Sequence, residues 1–103
     1  MPRSYDSMHK KIERISNVSV LDVELATGRL TVWRKKHEPE RAVDVLTTFF
    51  VAKGAQIKDV YGHIMPLSKI KPGSSVTVDY VKEKDGRFIV SNIVVTVKSQ
   101  GRR

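Results

Sequence analysis

Val20-Leu-Asp-Val-Glu-Leu-Ala-Thr-Gly-Arg-Leu-Thr-Val32 is the stretch that decides the fold class. Before its glycine, Leu21, Val23 and Leu25 alternate with Asp22 and Glu24; after it, Leu30 and Val32 alternate with Thr31 and Trp33. A period of two marks a strand with one buried face, because successive side chains point to opposite sides. Ala26-Thr-Gly-Arg29 reads as a tight turn, with Gly28 free to take positive φ. The stretch predicts a hairpin, its first strand over Ile15 to Leu25 and its second over Arg29 to Lys35.

Outward from the hairpin the pattern repeats. Lys36-His-Glu-Pro-Glu-Arg41 holds four charges and a proline and is expected to be a loop. A third strand is predicted over Ala42 to Ala52, ended by Gly54. Val43, Val45, Phe49 and Val51 share one parity and Leu46 and Phe50 the other, so this strand should curve from one packed layer to another. A fourth, Ser75 to Val81, puts Val76, Val78 and Tyr80 on one side. Lys82-Glu-Lys-Asp-Gly86 ends in the Asp-Gly pair that favours a hairpin. The fifth strand starts with Phe88 and Val90 on even positions and continues with Ile93, Val95 and Val97 on odd ones. Such a change of parity is what a β-bulge produces, here near Ser91-Asn92. Between the third and fourth strands, Met65-Pro-Leu-Ser-Lys-Ile-Lys-Pro-Gly73 predicts one helical turn, opened by Pro66, stopped by Pro72-Gly73, with Leu67 and Ile70 inward.

Length and charge bound the rest. The chain has 103 residues, 19 Lys plus Arg against 11 Asp plus Glu, a net charge of +8 and no cysteine. One modest core fits this length, and a deep two-domain cleft does not. Without cysteine there is no disulfide framework, thiolate metal site or cysteine nucleophile. The longest apolar runs, such as Ile93-Val94-Val95, fall far short of the roughly 20 residues of a membrane-spanning helix. No apolar stretch of export-signal length follows the basic N-terminus. As written the protein is expected in the cytoplasm, or outside it if a leader has been removed. The expected layout is a flexible basic segment over 1–14, one domain over 15–98 and a basic tail over 99–103.

Three strands, a helical plug and two strands resemble the oligonucleotide/oligosaccharide-binding (OB) fold, a five-stranded, partly open barrel. More closely, Val20 to Val32, Phe49-Phe-Val51, Leu67-Ser-Lys-Ile-Lys-Pro-Gly-Ser-Ser-Val-Thr-Val-Asp-Tyr80, Asp85-Gly-Arg and Ile93 resemble a family of small bacterial barrel domains of unknown function, often exported. The likeness covers about residues 15 to 97, and its motif is structural: no catalytic residue comes with it. The layout is also similar to that of the periplasmic copper and silver chaperones, which use a His, two Met and a Trp on one side of the barrel. Here the segment matching the methionine pair reads Leu46-Thr47-Thr48, which removes the soft sulfur ligands. His9, His37 and His63 are scattered, share no ligand spacing and read as solvated loop residues. No metal site and no cofactor are expected.

Enzyme chemistry finds no footing either. The carboxylates sit mostly beside Lys or Arg, as in Glu38-Pro-Glu-Arg41, and there is no phosphate-binding glycine loop, nucleophile elbow or His-Glu-x-x-His. A binding role has more support. Trp33 lies opposite the inward Leu30 and Val32, with Arg34-Lys35-Lys36 directly after it. On such a barrel an exposed aromatic on the second or third strand is where a base or sugar ring stacks. Phe49 is the candidate second ring, with Phe50 its alternative, because one of the two must be core. Residues 1–52 carry a net +2 and residues 53–103 a net +6, so Lys53, Lys69, Lys71 and Arg87 are expected to line a polyanion site. The function expected is a non-enzymatic module for single-stranded nucleic acid or another polyanion. The alternative is a structural or protein-interaction domain that pairs through open strand edges or the apolar part of the fifth strand.

Overall fold

The computed structural model describes residues 11–97. They form β1 (Glu13–Glu24), β2 (Arg29–Glu38), β3 (Arg41–Asp59), a 3-10 turn (Leu67–Lys69), β4 (Ser75–Lys82) and β5 (Phe88–Val97). The strands close into a barrel in the order β1-β2-β3-β5-β4, so the sheet is closed where a partly open one was expected. All neighbours run antiparallel except β3 and β5, which are parallel. Glu13 and Arg14, assigned in the sequence to the flexible N-terminal segment, are paired with Tyr80 and Asp79. Residues 1–10 of that segment and the C-terminal tail lie outside the described residues.

The alternation that predicts the strands also builds the core. Leu30 and Val32 of β2, Val76 and Val78 of β4, and Val90, Ile93 and Val95 of β5 are buried. Between Val90 and Ile93 the register against β4 slips by one, because Tyr80 faces Val90 and Asp79 faces Asn92, leaving Ser91 as the extra residue. That bulge keeps Val90 and Ile93 on the same inner face despite their opposite parity. β1 carries a second bulge, at Leu21, between the pairs Val20–Val32 and Asp22–Thr31. It changes the parity of the inner face: Val18 and Val20 are buried before it and Val23 packs against the core after it, whereas Leu21 and Leu25, expected inward with Val23, are exposed.

β3 is longer than its sequence predicts at both ends. It starts at Arg41 because Lys36, His37 and Glu38 extend β2, leaving only Pro39-Glu40 as the turn. Gly54 does not end it; after Phe50 the strand leaves β2, crosses an irregular stretch between Val51 and Gln56, and runs parallel to β5 as far as Asp59. The change of partner is the predicted curve between layers. At the crossing, the Val51 amide donates to the Gly28 carbonyl at 2.7 Å, and Gly28 has φ +73°.

One end of the barrel is closed by the 3-10 turn. Pro66 precedes it and Ile70, donating its amide to the Leu67 carbonyl, ends it. Ile70 is buried and Leu67 packs partly against the core, as the sequence predicts.

Candidate ligand face of the β2–β3 ribbon

Cross-strand register places side chains on faces without ambiguity. Arg29, Thr31, Trp33, Lys35 and His37 of β2 stand opposite Phe50, Thr48, Leu46, Asp44 and Ala42 of β3. This is the outer face, because the intervening Leu30 and Val32 are buried. Trp33 and Phe50 are both half-buried on it. A cation lies against each ring: the Lys35 ammonium 5.5 Å from the Trp33 centroid and the Arg29 guanidinium 5.8 Å from that of Phe50. Arg29 is four residues from Trp33 along the strand, so the two ring–cation pairs are about 13 Å apart. Thr31 and Thr48 hydroxyls, 3.4 Å apart, fill the interval.

Both cations are balanced. Lys35 Nζ is 2.9 Å from Asp44 Oδ1, and Arg29 Nη1 is 3.3 Å from Glu24 Oε1. Arg34 and Lys36 belong to the opposite side, paired with Val45 and Val43. The basic triplet after Trp33 is therefore split by the strand period, and Lys35 alone of the three shares the indole's face. The pKa of the Tyr80 hydroxyl is pushed above its usual value by burial, with the Glu13 charge adding to the rise and the Arg34 charge opposing it.

Phe49 is corrected by the structure. It points inward opposite Leu30, is fully buried, and packs its ring 5.0 Å from Tyr80 and 5.8 Å from Phe88. No ligand reaches it, and the second ring of the face is Phe50. The remaining predicted cations sit on separate elements. Lys53 is on the irregular stretch of β3, Lys69 on the 3-10 turn, Lys71 just after it, and Arg87 in the β4–β5 turn with Nε 2.8 Å from Asp85 Oδ2.

The histidines divide as well. His37 is exposed on β2, four residues beyond Trp33 and thus about 13 Å along the strand, and is not in a loop. His63 closes a turn whose anchor the sequence did not reveal. Asp59 Oδ1 accepts the amides of Tyr61 and His63, and its other oxygen lies 3.3 Å from His63 Nδ1. The Asp59 carboxyl is held below its ordinary value chiefly by the His63 amide. Among the described residues no three of His, Cys, Asp and Glu gather as a metal site. In the segment where the resemblance implies a methionine pair, the outer face carries Leu46 opposite Trp33 and Thr48 opposite Thr31. Aliphatic and hydroxyl groups do not fit copper(I) or silver(I).

The open edges also move. β5 is paired with β3 on one side and β4 on the other, so the fifth strand offers no edge. β1 pairs with β2 only as far as Trp33, and β5 meets β3 only from Phe50 onward. Among the described residues, 34–38 and 41–45 pair only with each other. They form a two-stranded ribbon that leaves the barrel with both edges unpaired.

Comparison with protein-family profiles finds no match, and comparison with curated proteins finds none either. Solved structures do resemble the chain. Silver(I)-bound CusF superposes with a TM-score of 0.59 at 14% identity, over 84% of this chain and 99% of that one. A structure of CusF with Ag(I), residues 10–88 from Escherichia coli, gives 0.59 at 16% identity over 91% and 99%. Apo-CusF from the same organism, residues 6–88, gives 0.57 at 17% over 89% and 92%. At these identities the likeness is one of fold: the chain is an OB-like five-stranded barrel of the shape found in CusF.

Proposed function

We propose that the protein is a non-enzymatic binding module whose outer β2–β3 face holds flat rings of single-stranded nucleic acid or a similar ring-bearing anionic polymer. One observation carries the reading: Trp33 and Phe50 stand on the same face, half-exposed, each with a cation at its ring. Rings on such a surface supply stacking that tolerates any base, and the cations serve the backbone. Because Asp44 and Glu24 already balance these cations, stacking rather than counterion release dominates. Titrating oligothymidylate against Trp33 fluorescence should show quenching that survives added salt. The slope of log affinity against log salt should correspond to only about one or two phosphates. No quenching at low salt overturns the proposal. Trp33→Ala abolishes the signal by construction, so Phe50→Ala, which keeps the fluorophore, is the informative variant: it should weaken binding about tenfold.

The ribbon's free edges favour a second reading, addition of an extended strand from a peptide or a second copy. Sedimentation at high concentration tests the second copy; a strict monomer removes self-pairing.

A further inference from the structure

Three of the seven large apolar residues most exposed among the described residues fall within one turn: Val60 at 55%, Tyr61 at 81% and Ile64 at 73%. None belongs to the core or packs on it. The turn is nevertheless fixed. Asp59 Oδ1 accepts the amides of Tyr61 and His63 at 2.9 and 3.0 Å, the Asp59 amide donates to the His63 carbonyl, and the Gly62 amide, with φ +86°, donates to the Asp59 carbonyl. An apolar tip held rigid in water has a use outside the fold.

Its surroundings say what kind of use. Lys58 is bridged directly to Ile64 across the base of the turn, and Lys69 lines an open hollow together with Asp59, His63, Ile64, Met65 and Pro66. Neither lysine has a carboxylate partner among the described residues. The carboxylate in that hollow, Asp59, has its side chain 14% exposed and is already engaged by the Tyr61 and His63 amides and the His63 ring. We propose that this tip docks on an anionic lipid surface, Tyr61, Ile64 and Val60 entering the headgroup layer while Lys58 and Lys69 face the phosphates. Tyrosine, apolar in body and polar at its end, suits that depth, and lysines beside it add attraction to negative lipid. A convex five-residue tip buries little against a flat protein, well below the roughly 800 Å² per partner of a specific interface, whereas a bilayer closes around it. The site is separate from the Trp33 face and does not depend on it.

Co-sedimentation with vesicles tests this. The full chain should partition onto vesicles in which about a third of the phosphatidylcholine is replaced by phosphatidylglycerol, and at least about tenfold less onto phosphatidylcholine alone. Tyr61→Ser/Ile64→Ser, which changes only exposed side chains, should lose about tenfold on the anionic vesicles at unchanged net charge. Lys58→Gln/Lys69→Gln should lose a similar amount. As a second readout, Tyr61→Trp in a Trp33→Phe background should shift its emission to the blue on anionic vesicles only. Failure to bind anionic vesicles overturns the proposal. So does equal binding by the Ser variant, which would mean adsorption through lysines elsewhere, or a vesicle-free dimer that Ile64→Ser dissolves, which would make the tip a self-contact.

Discussion

Replacing Phe49 by alanine removes the largest fully buried side chain of the barrel, one in contact with the rings of Tyr80 and Phe88. The surrounding strands are tied by hydrogen bonds and cannot collapse onto the gap, so a loss of about 3–5 kcal/mol is expected in denaturant unfolding. Phe50→Ala, one position along and on the outer face, should cost less than about 1 kcal/mol while removing half of the ring surface. Asp79 supplies a different residue-scale test. Its carboxylate accepts a bidentate pair of hydrogen bonds from Arg14, at 2.7 and 3.1 Å, and one from the Asn92 side-chain amide at 3.4 Å. The Arg14 hydrogen bond is the main reason its pKa lies below the ordinary carboxylate value, with Asn92 and the Arg14 charge acting the same way against burial. A depressed folded pKa stabilises above the ordinary value and loses that contribution as pH falls toward the folded one. The advantage of the wild type over Asp79→Asn should therefore be full at neutral pH, shrink below about pH 4 and vanish under strong acid, as urea midpoints across pH would show.

Gly28 links two elements, since the β1–β2 turn must approach β3 where β3 changes partner. An added Cβ would meet the Val51 carbonyl oxygen at 3.2 Å on a backbone at φ +73°. Gly28→Ala should cost about 1–2 kcal/mol, whereas an alanine at Gly54, where nothing lies within 4 Å and φ is ordinary, should cost far less. The ribbon behaves oppositely. Residues 36–43 contain no core side chain, and Lys35 pairs with Asp44. Replacing 36–43 by Asn-Gly should leave a two-residue hairpin turn and change the unfolding free energy by less than about 1 kcal/mol. That contrast explains what could be read from the chain. The β1–β2 hairpin, the β5 bulge and the Pro66-to-Gly73 plug are legible because period, turn chemistry and parity are local. The ribbon is not, because outside the barrel neither face is buried, and Glu38-Pro-Glu-Arg41 has the composition of a loop although only Pro39-Glu40 is one. Nor is the run of β3 beyond Gly54, which depends on β5, more than thirty residues later. At the site Trp33 is legible from its parity. Phe49 and Phe50 can be told apart only by the closure that turns one inward, and Arg34-Lys35-Lys36 reads as one patch until the strand period divides it.

Closure governs the whole molecule. β1 must find β4, as in the Arg14–Asp79 contact 65 residues apart, and β3 must lie parallel to β5 before all strands other than β2 are paired on both sides. Loop entropy is spent before those contacts form, so folding should be slow for this size, in the millisecond-to-second range, and single-exponential when followed through Trp33. The β1–β2 hairpin can form early, since its strands are joined by a four-residue turn, whereas β5 gains β3 as its second partner only as the barrel shuts. Val32→Ala should then slow folding, and Ile93→Val should mainly accelerate unfolding. A chevron with both effects on the folding limb would place the parallel β3–β5 pairing in the nucleus and refute the order. The same topology explains where binding can reside. Every strand of the barrel wall is paired on both sides and its inward face is filled, so ligand contact is left to what lies outside the wall: the outer Trp33–Phe50 face, the ribbon and the Asp59–Ile64 tip. Substitutions at Phe50, Tyr61 and Ile64 should change binding while leaving both chevron limbs where they were. A shift of either limb comparable to that of Ile93→Val would show that these side chains serve the fold instead.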